Sequence, residues 1–219
     1  MIAKPATHYP TSAAKCADLI VHIVGLAFAL FGGGILLGLS VGFGSLGQTA
    51  AVAIYTVGLM TMFGCSMAYN FGKWSWRPVL RRFDHAAIFL MIAGSYTPFT
   101  TQNLEGAWSI GMTAAVWTLA LLGVAGKLFL PGLGRKFWVG LYIALGWIVL
   151  IALKPMLDGV SWVALLLLGI GGVVYSTGVI FYLMKKFHFR RAVWHGHVLA
   201  AAAVQYAAVI VGVVFANNH

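Results

Sequence analysis

The sequence predicts an all-α membrane protein, a bundle of seven transmembrane helices with its N-terminus cytoplasmic and its C-terminus outside. Three observations carry this reading. The chain of 219 residues is 61% hydrophobic and 8% charged, which leaves no room for a soluble domain beside the spans, so 1–219 reads as a single membrane domain. Seven apolar segments can be marked off, and most are long enough for a hydrocarbon core that needs about 20 helical residues. Thirteen of the 14 Lys and Arg residues fall in four linking stretches that alternate with nearly uncharged ones, the pattern of short cytoplasmic loops.

The segments run from 18 to 42, 48 to 70, 86 to 101, 107 to 126, 137 to 153, 160 to 184 and 193 to 215, the third and fifth being the short ones. Backbone amides in a bilayer have to be satisfied within the segment, so each reads as a helix. In the first, Gly34, Gly38 and Gly42 recur every four residues and predict a flat stripe for close helix contact. Pro78 precedes the third segment and Pro98 lies near its far end, while Pro10, Pro131 and Pro155 fall at or outside segment edges. The Gly-rich runs at 32–34 and 169–172 lack a preceding strand and a following Lys, which excludes phosphate loops.

The basic stretches are the N-terminus (Lys4, Lys15), the link after the second segment (Lys73, Arg77, Arg81, Arg82), the link after the fourth (Lys127, Arg135, Lys136) and the link after the sixth (Lys185, Lys186, Arg190, Arg191). Lys154 alone lies on the other side, with Ala216 to His219 placed outside. Trp74, Trp76, Trp138 and Trp194 stand near cytoplasmic ends, where an amphipathic ring suits the interface. The net charge of +10 sits in short loops between apolar segments, which points to membrane lipids with anionic headgroups at the cytoplasmic face and away from nucleic acid. Cys16 and Cys65 map to the cytoplasmic half of different spans and read as packing residues without a disulfide. The first segment is too long for a signal-peptide core and reads as retained.

Polar groups inside apolar segments are the informative ones, because lipid tolerates them only toward a bundle interior. They are Asp18 and His22, Ser66 and Asn70, Asp84 and His85, and Arg191, His195, His197 and Gln205, all mapping to the cytoplasmic half. At about 100° per residue, Arg191, His195 and Gln205 fall within an arc of about 80° and His197 points away. The expectation is one cavity lined by Asn70, Asp84, Arg191, His195 and Gln205. Asp18 and His22 share a face and form either a hydrogen-bonded structural pair or a proton-handling one. His188 and His197 read as interfacial anchors. Ser66, one turn from Asn70, has no base matched to it in the sequence and reads as bonding within the bundle.

Phe83-Asp84-His85-Ala86-Ala87-Ile88-Phe89-Leu90 followed by Ile92-Ala93-Gly94-Ser95-Tyr96-Thr97-Pro98-Phe99 closely resembles the signature of the hemolysin III family, the bacterial branch of the progestin and adipoQ receptors. Asp18 to Gly25, Ser66 to Asn70 and Arg191 to Tyr206 resemble further family motifs, so the resemblance spans the chain. It implies a multi-pass protein of the bacterial inner membrane and a cytoplasmic-side zinc site of three His assisted by an Asp through water. It also implies lipid hydrolysis, notably of ceramide in receptor members, or a role in membrane lipid homeostasis.

Asp84 and His195 match that implied site. Asn70 and Arg191 stand where two of the His ligands belong, and Gln205 where a further family His does. An amide is a poor zinc ligand and a guanidinium has no lone pair to offer, so the ordinary site is not expected to form and no cofactor is assigned. If a metal is bound, Asp84 and His195 are its expected ligands. Arg191 is expected to direct its charge at Asp84, since an unpaired buried carboxylate is costly.

Three functions remain open on these residues. The first is a lipid-responsive or membrane-homeostasis role without ordinary zinc catalysis. The second is a metal-dependent lipid amide or ester hydrolase with an altered site, drawing its catalytic candidates from Ser66, Asp84 and His195 with His22 in support. The third is a channel or proton-coupled transporter, motivated by Asp18, His22, Asp84 and His195 at one depth. The outer leaflet's shortage of polar groups weighs against that third reading.

Overall fold

The computed structural model describes residues 8–130, 132–184 and 186–216; the expectations for Lys4, Pro131, Lys185 and Asn217-Asn218-His219 lie outside the described residues. Among the described residues all regular structure is helical. Seven rods form it: α1 (Ser12–Phe43), α2 (Leu46–Phe71), α3 (Arg77–Gln102), α4 (Gly106–Phe129), α5 (Arg135–Gly159), α6 (Trp162–Leu183) and α7 (Arg190–Val214). Six of them are long and apolar enough to cross a membrane. The remaining one, α3, is 26 residues long but opens with Arg77, Arg81, Arg82, Asp84 and His85. Those polar residues account for the sequence-based start at 86. They lower hydropathy without lowering helix propensity, so the helix begins nine residues earlier, with Pro78 in its first turn where the missing N–H costs nothing.

Helix starts follow ordinary capping chemistry. Thr11 accepts from the Ala14 amide, Ser45 from Gln48 and Ser161 from Ala164, each satisfying one of the free amides of a first turn. Three rods depart from α geometry within their length; α7 ends in a π turn at Ile210–Val214, and in each of the other two a tyrosine meets the departure. A π turn spans Phe28–Gly32 in α1, and the Gly32 carbonyl at its end accepts from Tyr206 Oη at 2.8 Å. A 3-10 turn at Ile148–Ala152 breaks α5, and Tyr96 Oη bridges it by donating to the Gly146 carbonyl at 2.7 Å and accepting from the Val149 amide at 3.1 Å. Freed backbone groups inside a bilayer need such partners.

Consecutive rods pack side by side, and α7 returns against α1, which closes the ring. α3 also touches α7 and α5 and so stands toward the middle. A close backbone approach lies between α2 and α3. A Cβ on Gly94 would sit 3.3 Å from the Ile54 carbonyl oxygen, and one on Gly58 3.5 Å from that of Leu90. Small residues at this crossing let two helices meet without side chains between them.

Gly34, Gly38 and Gly42 do not make such a contact. All three are exposed, and a Cβ on any of them would meet nothing within 4 Å. The stripe faces outward because α1 turns its other side, Gly25 over Phe63 and Gly33 over Thr56, to α2. Trp138 is another correction. It is buried rather than interfacial, with its indole N–H donating to the Leu133 carbonyl at 3.1 Å and Lys127 Nζ 4.4 Å from its ring. Trp74 and Trp76 are exposed, and Cys16 and Cys65 are both free thiols.

Candidate functional site

A cavity of about 400 Å³ runs inside the ring. Ser66, Asn70, Asp84, Arg191 and His195 line one end; Ile92, Tyr175 and Gln205 line regions farther along. Arg191 and Gln205 are separated by 14 positions on α7, about 21 Å at 1.5 Å per residue, so the cavity is elongated. The aromatic polar tips in the deeper part are mostly engaged elsewhere: Tyr142 Oη donates to the His85 carbonyl and Trp147 Nε1 to Ser176 Oγ. Their ring faces are left to line an apolar passage.

Two connected clusters occupy the polar end. In the first, the Asp18 carboxylate, fully buried, accepts from His195 Nδ1 at 2.6 Å and from Tyr9 Oη at 2.5 Å. His22, one turn on from Asp18, donates from Nδ1 to the Asp18 carbonyl at 2.7 Å. This bond assigns the tautomer, so that Nε2 accepts from Ser66 Oγ at 3.1 Å. The His22 and His195 rings lie 4.4 Å apart, centre to centre.

In the second cluster, Asn70 Oδ1 accepts from Arg191 Nη1 at 3.2 Å and from His8 Nε2 at 3.0 Å. Arg191 Nη2 donates to His8 Nδ1 at 3.3 Å, and its guanidinium lies 5.6 Å from the Tyr9 ring centre. With its oxygen held this way, Asn70 turns Nδ2 toward Ser66, donating to the Ser66 carbonyl at 3.0 Å and reaching Oγ at 3.4 Å. Arg77 Nη2 donates to the Asn70 carbonyl at 3.3 Å, supplying a partner at the end of α2, where helix carbonyls run out of their own.

The five residues expected in one cavity all line it. Their hydrogen-bond partners are not all members of that set. The carboxylate bound to His195 is that of Asp18, and the partners of Arg191 are Asn70 and His8, so neither His195 nor Arg191 is hydrogen-bonded to Asp84. Asp84 has His85 Nε2 at 3.9 Å. The physical reason is that α1 packs on α7, which puts Asp18 across the seam from His195. Gln205 lies too far along α7 to join the polar cluster and instead packs over Gly171 of α6. His197 points to α6, against Gly178, with Nδ1 donating to the Val193 carbonyl, and His188 is exposed.

Among the described residues, the group that could hold one metal ion is Asp18, His22 and His195, whose ligand atoms lie within 4.8 Å of one another. His195 is common to this group and to the expected pair with Asp84. At two of the positions where the resemblance implies His ligands, Asn70 and Arg191 are hydrogen-bonded to each other, and an amide is a poor zinc ligand while a guanidinium offers no lone pair.

His8 and Tyr9 were outside the sequence-based site, since nothing in a segment before the first helix marks them as its cover. Burial, reinforced by the Arg191 charge, lowers the His8 pKa to about 4. Its neutral form fits the bonds it makes, accepting at Nδ1 and donating at Nε2. Burial and the Asp18 hydrogen bond push the Tyr9 phenol up, so it remains a donor to Asp18. A histidine whose folded pKa lies below its unfolded value stabilises the docked state fully above about 6.5 and loses that contribution as pH falls toward 4. Hydrogen-exchange protection at His8, Tyr9 and Thr11, taken relative to the intrinsic rate at each pH, is therefore expected to fall between pH 6.5 and 4, and His8→Ala to flatten that dependence. A slope unchanged in the variant would assign the response to another group.

The fold and cavity define a class: a polytopic helical membrane protein with a buried polar site at one end of an elongated, largely apolar chamber. The family model described as Haemolysin-III related matches residues 15–206, and the chain belongs to that family. It is 30% identical to the Hemolysin-3 homolog of Bacillus subtilis, over 90% of this chain and 92% of that one. It is 39% identical to Hemolysin-3 of Bacillus cereus over 58% of each chain. It is 26% identical to the human Monocyte to macrophage differentiation factor, over 91% of this chain and 84% of that one. Family membership and the apolar helices make this a multi-pass cell-membrane protein.

Proposed function

We propose that this chain binds an amphiphilic lipid in its chamber, in a membrane-homeostasis role that does not use the three-His zinc chemistry implied by the family resemblance. The observation that carries the proposal is the hydrogen bond from Arg191 to Asn70, at 3.2 Å between the two positions where His ligands are implied. The substitutions complement each other: one supplies the positive charge and donors, the other the acceptor that receives them. The chamber supports the lipid reading because Asp84, Arg191 and His195 gather at one end, while apolar side chains and aromatic faces, with a few neutral polar groups such as Gln205 and Tyr175, line the rest. Its volume of about 400 Å³ falls within the usual range for small-ligand sites.

The reading is tested with a photoreactive fatty-acyl probe incorporated into vesicles. Crosslinks are expected on chamber-facing residues such as Tyr175 and Val198, reduced by Val198→Trp. Crosslinks confined to outward residues such as Ile180 and Val211 would contradict it.

A second reading is a lipid hydrolase with a displaced metal, favoured by the reach of Asp18, His22 and His195 to a common point. One zinc per chain, lost in His22→Gln, would support it. In either reading the N-terminus lies inside and the C-terminus outside, a topology supported by the 13-to-1 partition of Lys and Arg. A C-terminal reporter active only in the cytoplasm is expected to be silent; activity there would reverse the topology.

A further inference from the structure

The polar end of the chamber contains a nucleophile–base pair that the zinc comparison leaves unexplained. Ser66 Oγ lies 3.1 Å from His22 Nε2, and a serine hydroxyl within hydrogen-bond reach of a base that is itself oriented by a third group is the arrangement of nucleophilic acyl transfer. The third group is Asp18. Its carbonyl takes the His22 Nδ1 proton at 2.7 Å, and its carboxylate lies 3.7 Å from the same nitrogen, close enough to stabilise an imidazolium as it forms. Ser66 and His22 are both buried on α2 and α1, and both line the chamber, so a ligand inside it meets the hydroxyl and its base together.

The two residues in the place of His ligands then acquire chemical roles. Asn70 Nδ2 is 3.4 Å from Ser66 Oγ and is an amide donor beside the point where charge would develop on an attacked carbonyl. Arg191 and His8 hold the amide oxygen from the other side, which prevents the Asn70 side chain from presenting an acceptor to that charge. Arg191 is thus a positioning residue.

We infer that this site performs metal-independent acyl transfer, with Ser66 as nucleophile, His22 as base and Asn70 as oxyanion donor, on a membrane amphiphile carrying an ester- or amide-linked acyl chain. Ser66 Oγ forms a bond to the acyl carbon while its proton passes to His22 Nε2. The carbonyl electron pair moves onto oxygen, where the Asn70 Nδ2–H meets it. As the carbonyl re-forms, the bond to the alcohol or amine breaks and the leaving group takes the proton from His22. Water then attacks the acyl-Ser66 ester, gives its proton to His22, and releases the fatty acid with the serine restored. The substrate class rests on the amphiphile reading above; the assignment of the nucleophile does not.

The test uses the full chain in nanodiscs of phosphatidylethanolamine and phosphatidylglycerol with two fluorophosphonate probes, one bearing a hexadecyl chain and one short and water-soluble, and peptide mass spectrometry as readout. Expected is a single adduct on Ser66, absent in Ser66→Ala and unchanged by prior chelation. Its rate should fall by about 100-fold in His22→Gln and by a similar factor in Asn70→Ala, sizes typical of a lost base and a lost oxyanion donor. Arg191→Gln is expected to slow Ser66 labelling, and Arg191→Lys, which keeps a charged donor, to recover part of the rate at an unchanged melting curve, a rescue that a purely structural role would not produce.

Melting curves identify variants that fold like the parent, and His22→Gln and Asn70→Ala are scored only alongside matching curves, with Ser66→Thr as a second nucleophile variant. No Ser66 adduct from either probe overturns the inference, as does a rate untouched by His22→Gln in a folded protein. Photoreactive-lipid crosslinks in the chamber without any adduct leave the lipid reading standing and the nucleophile assignment refuted. An adduct from the short probe without chamber crosslinks does the reverse.

Discussion

Arg191→Ala is expected to lower stability by about 2 kcal/mol, the cost of hydrogen bonds from a charged donor lost at a half-buried position. The guanidinium donates to Asn70 and to His8 and lies against the Tyr9 ring, so the truncation loosens α7 from α2 and from the segment that covers the site. Lys186→Ala is the control. That side chain is exposed in the link between α6 and α7, and its loss is expected to fall within about 0.5 kcal/mol. Denaturant unfolding in detergent compares the two. Equal effects would place the Arg191 charge among headgroups instead of in the site.

Gly94→Leu is expected to destabilise by about 3 kcal/mol, at the upper end of ordinary overpacking. A Cβ at Gly94 would already lie 3.3 Å from the Ile54 carbonyl oxygen and 3.8 Å from Gly58 Cα, and neither backbone can rotate aside as a side chain would. Gly38→Leu, at a position where a Cβ meets nothing within 4 Å, is expected to be nearly neutral in the same unfolding assay. The opposite order would mean that the exposed stripe on α1 is the packed one. Because α3 carries Asp84 and borders the chamber, Gly94→Leu should also lower photoreactive-lipid crosslinking.

The helices were legible because apolar length is a property of a single segment. The segment marked at 48 to 70 became Leu46–Phe71, and that at 160 to 184 became Trp162–Leu183. α3 was shortened in the sequence reading because Arg81, Arg82, Asp84 and His85 hide a helix from a hydropathy argument. The residues of the cavity were legible for a related reason: lipid cannot solvate them, so Asn70, Asp84, Arg191 and His195 had to face inward.

Their partners were a different matter, since a partner depends on which rods are neighbours. The i,i+4 relation linked His22 to Asp18, but no spacing along the chain says that α1 lies on α7 and brings Asp18 to 2.6 Å from His195. The same ignorance left Ser66 without a base, when His22 stands 44 residues away and 3.1 Å distant. Helical phase put Gln205 on the cavity wall, where it lies, but is silent on depth: a shared face puts a residue on the same line, not at the same height. The Gly34, Gly38 and Gly42 stripe shows that small-residue spacing identifies a surface able to pack closely without saying that another helix of the chain occupies it.

The central claim is that Asn70 and Arg191 have taken the place of two metal ligands and satisfy each other there. Metal analysis of the purified chain beside an Asn70→His, Arg191→His double variant tests it most directly. The account predicts less than about 0.1 zinc per chain in the parent and a rise toward one in the double variant, since two imidazoles would join His195 where tetrahedral zinc needs three or four such donors. One zinc per chain in the parent would contradict it, and loss of that metal in His22→Gln would assign the ion to Asp18, His22 and His195.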